Sequence, residues 1–220
     1  MISPEERRTK TNQKLKEMGI AYIDMLPVVE SSEQVNLKSL DEIAKRCVAS
    51  LLAIQLGCDI NSDNDYNDSK EYFSKMLKDF GVEDSLLPKE KKLFDGNYDK
   101  QDAIDVVWTY EAYWSLCWAL GLVDDIEDAS SICDIDKAIS FVSKSKNLED
   151  FKSKCKVRDI EEILDMLDLY YRYHWAVTEH QLNPDTKIGN LNDDIVVERR
   201  RGLEWLFLDM NDWFDIPLNT

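Results

Sequence analysis

Two stretches of the sequence carry the residue types that acid–base chemistry and anion binding require. In the first, Arg172 and His174 lie in a run of aromatic residues, and in the second Glu198 and Arg199 open a cluster of three arginines. A carboxylate, an imidazole and a guanidinium could together transfer a proton and neutralise an anionic substrate. With Glu111 as a further carboxylate from an apolar stretch, these residues form one candidate binding site or buried polar network.

The same residues also have a structural interpretation. Glu111 lies within an apolar helical stretch, where an unpaired carboxylate would cost several kcal/mol, so an ion pair with an arginine is expected. Arg172 follows Asp168 by the i,i+4 spacing of a helical ion pair. His174 falls on the apolar side of its helix, where histidines are commonly hydrogen-bonded core residues. We favour a buried network that holds helices together, and no catalytic residue is assigned.

The sequence indicates neither a metal site nor a cofactor. Asp59, Asn61, Asp63 and Asp65 have the spacing that opens a calcium loop, but Lys70 stands where that loop needs its bidentate glutamate. The five cysteines include no C-x-x-C pair, and the two histidines have no zinc-helix partner. A Gly-rich phosphate loop and a nucleophile elbow are also absent from the sequence. We expect no metal and no cofactor.

The formal net charge is −17, from 44 acidic and 27 basic residues. An acidic field of this size repels phosphate backbones and anionic lipid surfaces, which argues against nucleic-acid and membrane partners. A basic protein partner is electrostatically allowed. The N-terminus has no apolar signal region, and the scattered cysteines suggest no disulfide framework, so we expect a cytoplasmic protein.

The elements that position these residues are predicted to be helices. Only 7 glycines and 5 prolines interrupt the chain, and apolar residues recur at helical spacing. Capping-box patterns begin helices after Ser3 and Ser39, and we expect these helices to end at Gly19 and Gly57. The stretch from Lys100 to Leu120, with Trp108, is apolar on nearly every side and predicts a central buried Trp-rich helix. We expect an all-α fold with seven to nine helices in one globular domain, residues 1–220.

These segments together resemble an uncharacterised, mainly bacterial family, the domain of unknown function numbered 4272. The resemblance runs nearly end to end and rests on blocks of residues rather than on one motif. Its most distinctive blocks are Tyr171-Arg172 with His174-Trp175-Ala176, Val197-Glu198-Arg199 with Leu203, Trp205-Leu206, and the tail residues Trp213, Asp215 and Thr220. Phe214 and Asn219 stand where the family usually has acidic residues. The resemblance implies the architecture and names no substrate.

Two functions from different classes follow from these observations. The first is a non-catalytic, acidic intracellular protein that binds a protein or a small molecule, favoured by the charge and by the lack of a recognisable catalytic arrangement. The alternative is a small-molecule enzyme, hydrolase-like, that uses the Glu/Arg/His cluster on an anionic substrate. The alternative requires Glu111, Arg172, His174, Glu198 and Arg199 to converge on a cleft that solvent can reach.

Overall fold

The predicted all-α fold is confirmed. A computed structural model describes residues 2–62 and 64–220, and every regular element within them is helical. The α-helices of the described residues are α1 (Pro4–Met18), α2 (Leu40–Asn61), α3 (Tyr66–Phe80), α4 (Pro88–Asp95), α5 (Lys100–Trp108), α6 (Tyr110–Ala119), α7 (Ile135–Ser143), α8 (Leu148–Ser153), α9 (Ile160–Leu182) and α10 (Asp193–Trp205). Short 3₁₀ turns are formed by Glu83–Ser85 and Trp213–Asp215.

The stretch predicted as one helix from Lys100 to Leu120 is present as α5 and α6. Thr109 separates them, and its Oγ1 donates a hydrogen bond of 2.6 Å to the Val106 carbonyl. Counted as one, these segments bring the described α-helices to nine, the upper end of the predicted range. Every residue of α6 is buried, as the apolar pattern predicts. Trp108 is the exception to that pattern, because its side chain lies at the end of α5 and is 46% exposed.

The helix boundaries follow the capping signals in the sequence. Ser3 and Ser39 each accept a hydrogen bond from the backbone N–H three residues later. The carboxylates of Glu6 and Glu42 in turn accept a hydrogen bond from the backbone N–H of the cap serine. Gly19 ends α1 in the left-handed conformation, with φ of 71°, and donates to carbonyls of the last turn. These boundaries were therefore predictable from local chemistry.

Contacts within the chain divide it into two compact units, each built from separate segments. The first unit comprises Met1–Leu37, Asp124–Ile132 and Arg158–Thr220, and contains α1, α9 and α10. Both α1 and α10 pack on α9. The buried guanidinium of Arg7 on α1 binds Glu161 and Asp165 of α9 at 2.5 and 2.9 Å. The single domain predicted for residues 1–220 stays a prediction.

The second unit comprises Lys38–Val123 and Cys133–Val157, and contains α2 to α8. Among its described residues, α2 contacts every other helix of the unit. Gly57 lies inside α2 and does not end it. A Cβ at this position would lie 3.1 Å from Val107 Cγ2 and 3.2 Å from the Ala103 carbonyl oxygen of α5. A glycine at this position thus permits the close approach of α2 and α5.

Candidate functional site

Arg172 and Asp168 form a buried ion pair within α9. The Arg172 Nη2 and Nε atoms donate to the two Asp168 carboxylate oxygens at 2.8 and 3.1 Å, and both side chains are essentially inaccessible to solvent. A further long contact of 3.4 Å joins Nη2 to the Pro27 carbonyl. The Nη1 atom is buried without an acceptor among the described residues. This geometry serves to neutralise a charge inside the unit, as the structural interpretation predicted for this pair.

Arg199 binds the backbone of the segment 124–132. Its guanidinium donates to the carbonyls of Ile126, Asp128 and Ser131 at 3.1, 2.6 and 3.3 Å. It also donates at 3.1 Å to the Tyr170 hydroxyl, which in turn donates at 2.5 Å to the Ile126 carbonyl. One side chain of α10 therefore fixes the path of a segment that has no regular secondary structure.

His174 is buried beside the guanidinium of Arg200. Arg200 Nη1 donates a hydrogen bond of 2.7 Å to His174 Nδ1, so the imidazole is neutral and carries its proton on Nε2. Burial, with Arg200 and Arg201 nearby, lowers the pKa of His174 to about 4. Arg200 also binds the carboxylate of Glu204 at 3.1 Å. Burial raises the pKa of Glu204, although Arg200 opposes that shift.

Glu198 lies on the same helix but has a different partner. Its carboxylate oxygens accept hydrogen bonds from Arg201 Nε at 3.1 Å. Arg201 Nη1 donates at 2.8 Å to the carbonyl of Trp213, whose ring is buried against Trp205. The aromatic tail therefore packs back on its unit, as its many large side chains predict.

Glu111 belongs to the second unit. Its carboxylate is buried, and its Oε1 accepts a hydrogen bond of 2.7 Å from the backbone N–H of Cys133. A carboxylate that accepts backbone N–H groups is a common way to satisfy buried polar atoms. Here it connects α6 to the backbone that leads into α7.

The candidate residues of the first unit thus take part in separate interactions. Arg172 forms an ion pair with Asp168 within α9, and Arg199 binds the backbone of the segment 124–132. His174 is hydrogen-bonded to Arg200, and Glu198 to Arg201. Their joint role as a site stays a prediction. Glu204 was not identified from the sequence. Its spacing of four residues after Arg200 is the only sequence signal for this pairing, and that spacing is common in helices.

The first unit contains a concavity of about 530 Å³ that the sequence did not reveal. We call it the acidic pocket; its lining combines three acidic residues, Asp125, Glu127 and Asp128, with apolar residues that include Met18, Ile20 and Leu191. Its described lining includes no lysine or arginine. Lys14 forms an ion pair with Glu127 from outside this lining. Hydrogen bonds from Ser130 lower the pKa of Asp128.

A second concavity, of about 500 Å³, adjoins the first. We call it the Trp175 pocket; its apolar lining is Ile20, Ala21, Ile23 and Trp175, and its polar lining includes Glu179 and Lys187. Ile20 lines both pockets. A bond of 2.7 Å from the Ala21 N–H to the Lys187 carbonyl, and one of 2.8 Å from His180 Nδ1 to the Thr186 carbonyl, hold the loops around it.

The described residues contain no group of three or more histidine, cysteine, aspartate or glutamate side chains arranged to hold a metal ion. Of the predicted calcium-like spacing, Asp59 accepts hydrogen bonds from Ser69 and Asn64 at 2.6 and 2.9 Å. Asp65 caps α3. Asp63 lies outside the described residues. Asp59 and Asp65 thus take part in local hydrogen bonds.

These observations define an acidic all-helical protein whose first unit carries two adjoining pockets. By sequence, the chain belongs to the family described as a domain of unknown function, DUF4272, which it matches over residues 7–216. No curated protein and no solved structure matches it significantly. In the part of the chain that the structure covers, no helix has the length and apolar character that crossing a bilayer requires.

Proposed function

We propose that this chain is a non-catalytic, cytoplasmic binding protein of a bacterial family, which holds a cationic group of its partner in the acidic pocket. The observation that carries the proposal is the lining of that pocket. Asp125, Glu127 and Asp128 line it together with the apolar residues Met18, Ile20 and Leu191. A lysine or arginine side chain, which is charged at its end and aliphatic along its stem, matches both kinds of lining residue.

The residues that could take part in catalysis are occupied by contacts within the chain, which supports binding over catalysis. Arg172 is neutralised by Asp168, and Arg199 is occupied by backbone carbonyls. Arg199 instead supports the pocket indirectly, because it fixes the backbone of the segment that carries all three carboxylates. In this role it is a positioning residue.

The electrostatics of the chain favour the same partner. A net charge of −17 attracts a basic partner over long distances and increases the rate of encounter. The pKa of Asp128 is lowered by its bonds with Ser130, so this carboxylate stays charged at neutral pH.

The cysteines support the cytoplasmic part of the proposal. All five are free thiols, as is usual for proteins of a reducing cytoplasm.

Site-specific photo-crosslinking in living cells tests the proposal. Ser130 lines the acidic pocket and is exposed, so p-benzoylphenylalanine at residue 130 should capture a partner at the pocket. The captured partner should be identified by mass spectrometry and should contact residue 130 through a lysine- or arginine-bearing segment. The same label at Lys75, an exposed position of α3, is the control and should not capture it.

The double variant Asp125→Asn/Asp128→Asn should reduce this capture severalfold, because it removes two of the three negative charges. Glu71→Gln/Asp79→Asn removes two exposed charges from α3, leaves the same net charge, and should have no effect. Equal loss in both double variants would show that only the overall charge matters. Capture that is unchanged by Asp125→Asn/Asp128→Asn would refute the cation site.

One observation favours the enzymatic alternative. Glu204 has a raised pKa and lies next to Arg200, which also contacts the neutral imidazole of His174 and stacks 4.6 Å from the Tyr171 ring centre. A carboxyl group with a raised pKa beside a guanidinium resembles a general acid that acts on an anionic substrate. Hydrolysis of p-nitrophenyl phosphate that is lost in Glu204→Gln would support this alternative. If the wild type does not hydrolyse this phosphate ester, the alternative fails for it.

A further inference from the structure

The surface next to the acidic pocket is apolar and exposed. Ile23 in the Trp175 pocket is 39% exposed, and Met25, two residues further along, is 90% exposed. Large apolar side chains scattered singly over a surface need no explanation, but a cluster around a concavity commonly marks a binding surface. The segment after α1 thus presents apolar side chains beside a pocket.

One face of α9 continues this surface. Trp175, Glu179 and Leu182 lie on the same side of the helix, since they are separated by four and three residues. Trp175 and Glu179 line the Trp175 pocket, and Leu182 is 79% exposed at the end of the helix.

We infer that this face binds a segment of another polypeptide, which places a large apolar side chain in the Trp175 pocket and a lysine or arginine in the adjoining acidic pocket. The inference rests on the proposed function and adds the class of partner. Because Ile20 lines both pockets, a single short segment can reach both. The apolar side chain supplies buried area, while the cation supplies orientation and specificity.

Charge selects a basic polypeptide among the surfaces that could cover an apolar face. Glu179 and Asp185 border the Trp175 pocket, against one cation, Lys187, and three further carboxylates line the acidic pocket. A second copy of this chain also carries a charge of −17, so association between copies at this face is opposed by repulsion. An anionic lipid surface is disfavoured for the same reason.

Selection from a phage-displayed library of random dodecapeptides, against the full chain, tests the inference. We expect selected peptides to combine a lysine or arginine with a tryptophan, phenylalanine, leucine or methionine within a few residues. The best peptide, made synthetically, should lose about tenfold in affinity when Trp175→Ala removes the pocket wall, a change of about 1.4 kcal/mol. Isothermal titration calorimetry at low and at moderate salt measures the affinity of the peptide for the wild type and for the variant.

Matched controls exist in the second unit. Ile135 is 42% exposed, close to the 39% of Ile23, so Ile135→Ser should leave binding unchanged whereas Ile23→Ser weakens it. Trp108→Ala is the corresponding control for Trp175→Ala. Circular dichroism and urea unfolding establish that each variant is folded, and the two Ile→Ser variants keep the test decisive if Trp175→Ala is unstable.

The outcomes separate the inference from the proposed function. Peptides or crosslinked partners that depend on Asp125 and Asp128 but not on Trp175 or Ile23 would overturn the inference and leave the cation site standing. A selection that yields acidic peptides, or no enriched peptide, would also overturn it. Self-association that is abolished by Ile23→Ser in sedimentation would show that a second copy occupies the face, contrary to the inference.

Discussion

The guanidinium of Arg199 donates a hydrogen bond of 2.6 Å to the main-chain oxygen of Asp128, while the Asp128 side chain lines the acidic pocket. The residue that the sequence offered as a possible catalytic group therefore acts on the backbone behind the pocket. Ser130 N–H donates at 2.9 Å to the Asp128 carboxylate, a second hydrogen bond that holds the same turn. The shape of this pocket wall thus depends on α10.

Replacing Arg199 should loosen the pocket. Arg199→Ala leaves the Asp128 and Ser131 carbonyls without their guanidinium donor, whereas the Ile126 carbonyl keeps the Tyr170 hydroxyl. Each unsatisfied buried group costs about 1–3 kcal/mol. We expect the free energy of unfolding to fall by about 2–4 kcal/mol, measured by urea denaturation. Amide hydrogen exchange at residues 126–131 should accelerate more than exchange in α9.

Arg201→Ala is the control for this prediction, because Arg201 binds Glu198 and the tail rather than the pocket segment. It should leave exchange at residues 126–131 unchanged. If Arg199→Ala also leaves that exchange unchanged, the segment holds its own shape and Arg199 is not a positioning residue.

Local signals of the sequence predicted the helices well, because caps and apolar spacing act within a few residues. Ser3, Ser39 and Gly19 mark boundaries that the structure confirms. The break at Thr109 was not predictable, since both flanks are apolar and no glycine or proline separates them. Local spacing also failed at Gly57, where the tertiary approach of α5, not a helix end, requires the glycine.

The candidate residues were harder to predict, because their roles depend on contacts between distant segments. The Arg172–Asp168 pair was predictable from its i,i+4 spacing. The role of Arg199 was not, since its acceptors are main-chain carbonyls about 70 residues away, which no side-chain pattern encodes. An acidic run beside the buried Ile126 and Ala129 was the one sequence signal for the pocket.

The buried pair of Arg172 and Asp168 should behave differently when one or both partners are replaced. Arg172→Met leaves the Asp168 carboxylate buried without its cation, which should cost about 3–5 kcal/mol of unfolding free energy. Arg172→Met/Asp168→Leu removes both charges and should recover most of that loss. Urea unfolding of the wild type, Arg172→Met, Asp168→Leu and the double variant gives the coupling energy.

Lys45 and Asp41 provide the exposed comparison. They have the same i,i+4 relation at 2.6 Å, and each side chain is more than a third exposed. Lys45→Met should therefore cost less than about 0.5 kcal/mol. If Lys45→Met and Arg172→Met lower the free energy of unfolding by similar amounts, the distinction between buried and exposed pairs is wrong.

Protonation of His174 should destabilise the fold in mild acid. Its pKa is lowered to about 4 in the folded chain, mainly by burial, from 6.5 in the unfolded chain. Between these values the unfolded chain binds the extra proton, so stability is full above pH 6.5 and is lost as the pH falls towards 4. The loss attributable to His174 between pH 7 and pH 5 should be about 2 kcal/mol.

His174→Asn isolates this contribution, because the asparagine oxygen can accept the Arg200 hydrogen bond without titrating. Glu204 has a raised pKa and therefore an effect of opposite sign, but it is present in both proteins and cancels in the comparison. Urea unfolding of the variant should show a pH dependence shallower by that amount. Parallel pH profiles for the two proteins would exclude His174 as the cause.

Gly121 and Gly81 should differ in their tolerance of alanine. Both have positive φ, 74° and 64°, so alanine carries a similar conformational strain of about 1 kcal/mol at each. A Cβ at Gly121 would lie 2.7 Å from the Lys156 carbonyl oxygen, whereas one at Gly81 meets nothing within 4 Å. Gly121→Ala should cost about 1–3 kcal/mol more than Gly81→Ala in thermal or urea unfolding. Equal costs would mean that the backbone at Lys156 shifts to admit the methyl group without a loss of unfolding free energy.

The cysteines should react with thiol reagents in an order set by their burial. The Cys47 and Cys117 sulfurs lie 3.6 Å apart in the core, and burial raises the pKa of Cys47. Burial also raises the pKa of Cys155 to about 12, but Cys155 and Cys58 are only partly buried. Since the thiolate is the reactive form, native protein at pH 8 should alkylate slowly, first at Cys58 and Cys155.

Mass spectrometry of iodoacetamide-treated protein, with and without urea, should find Cys47 and Cys117 labelled only after unfolding. Labelling of Cys47 at the rate of Cys58 in native buffer would instead show that the core around α2 and α6 opens readily.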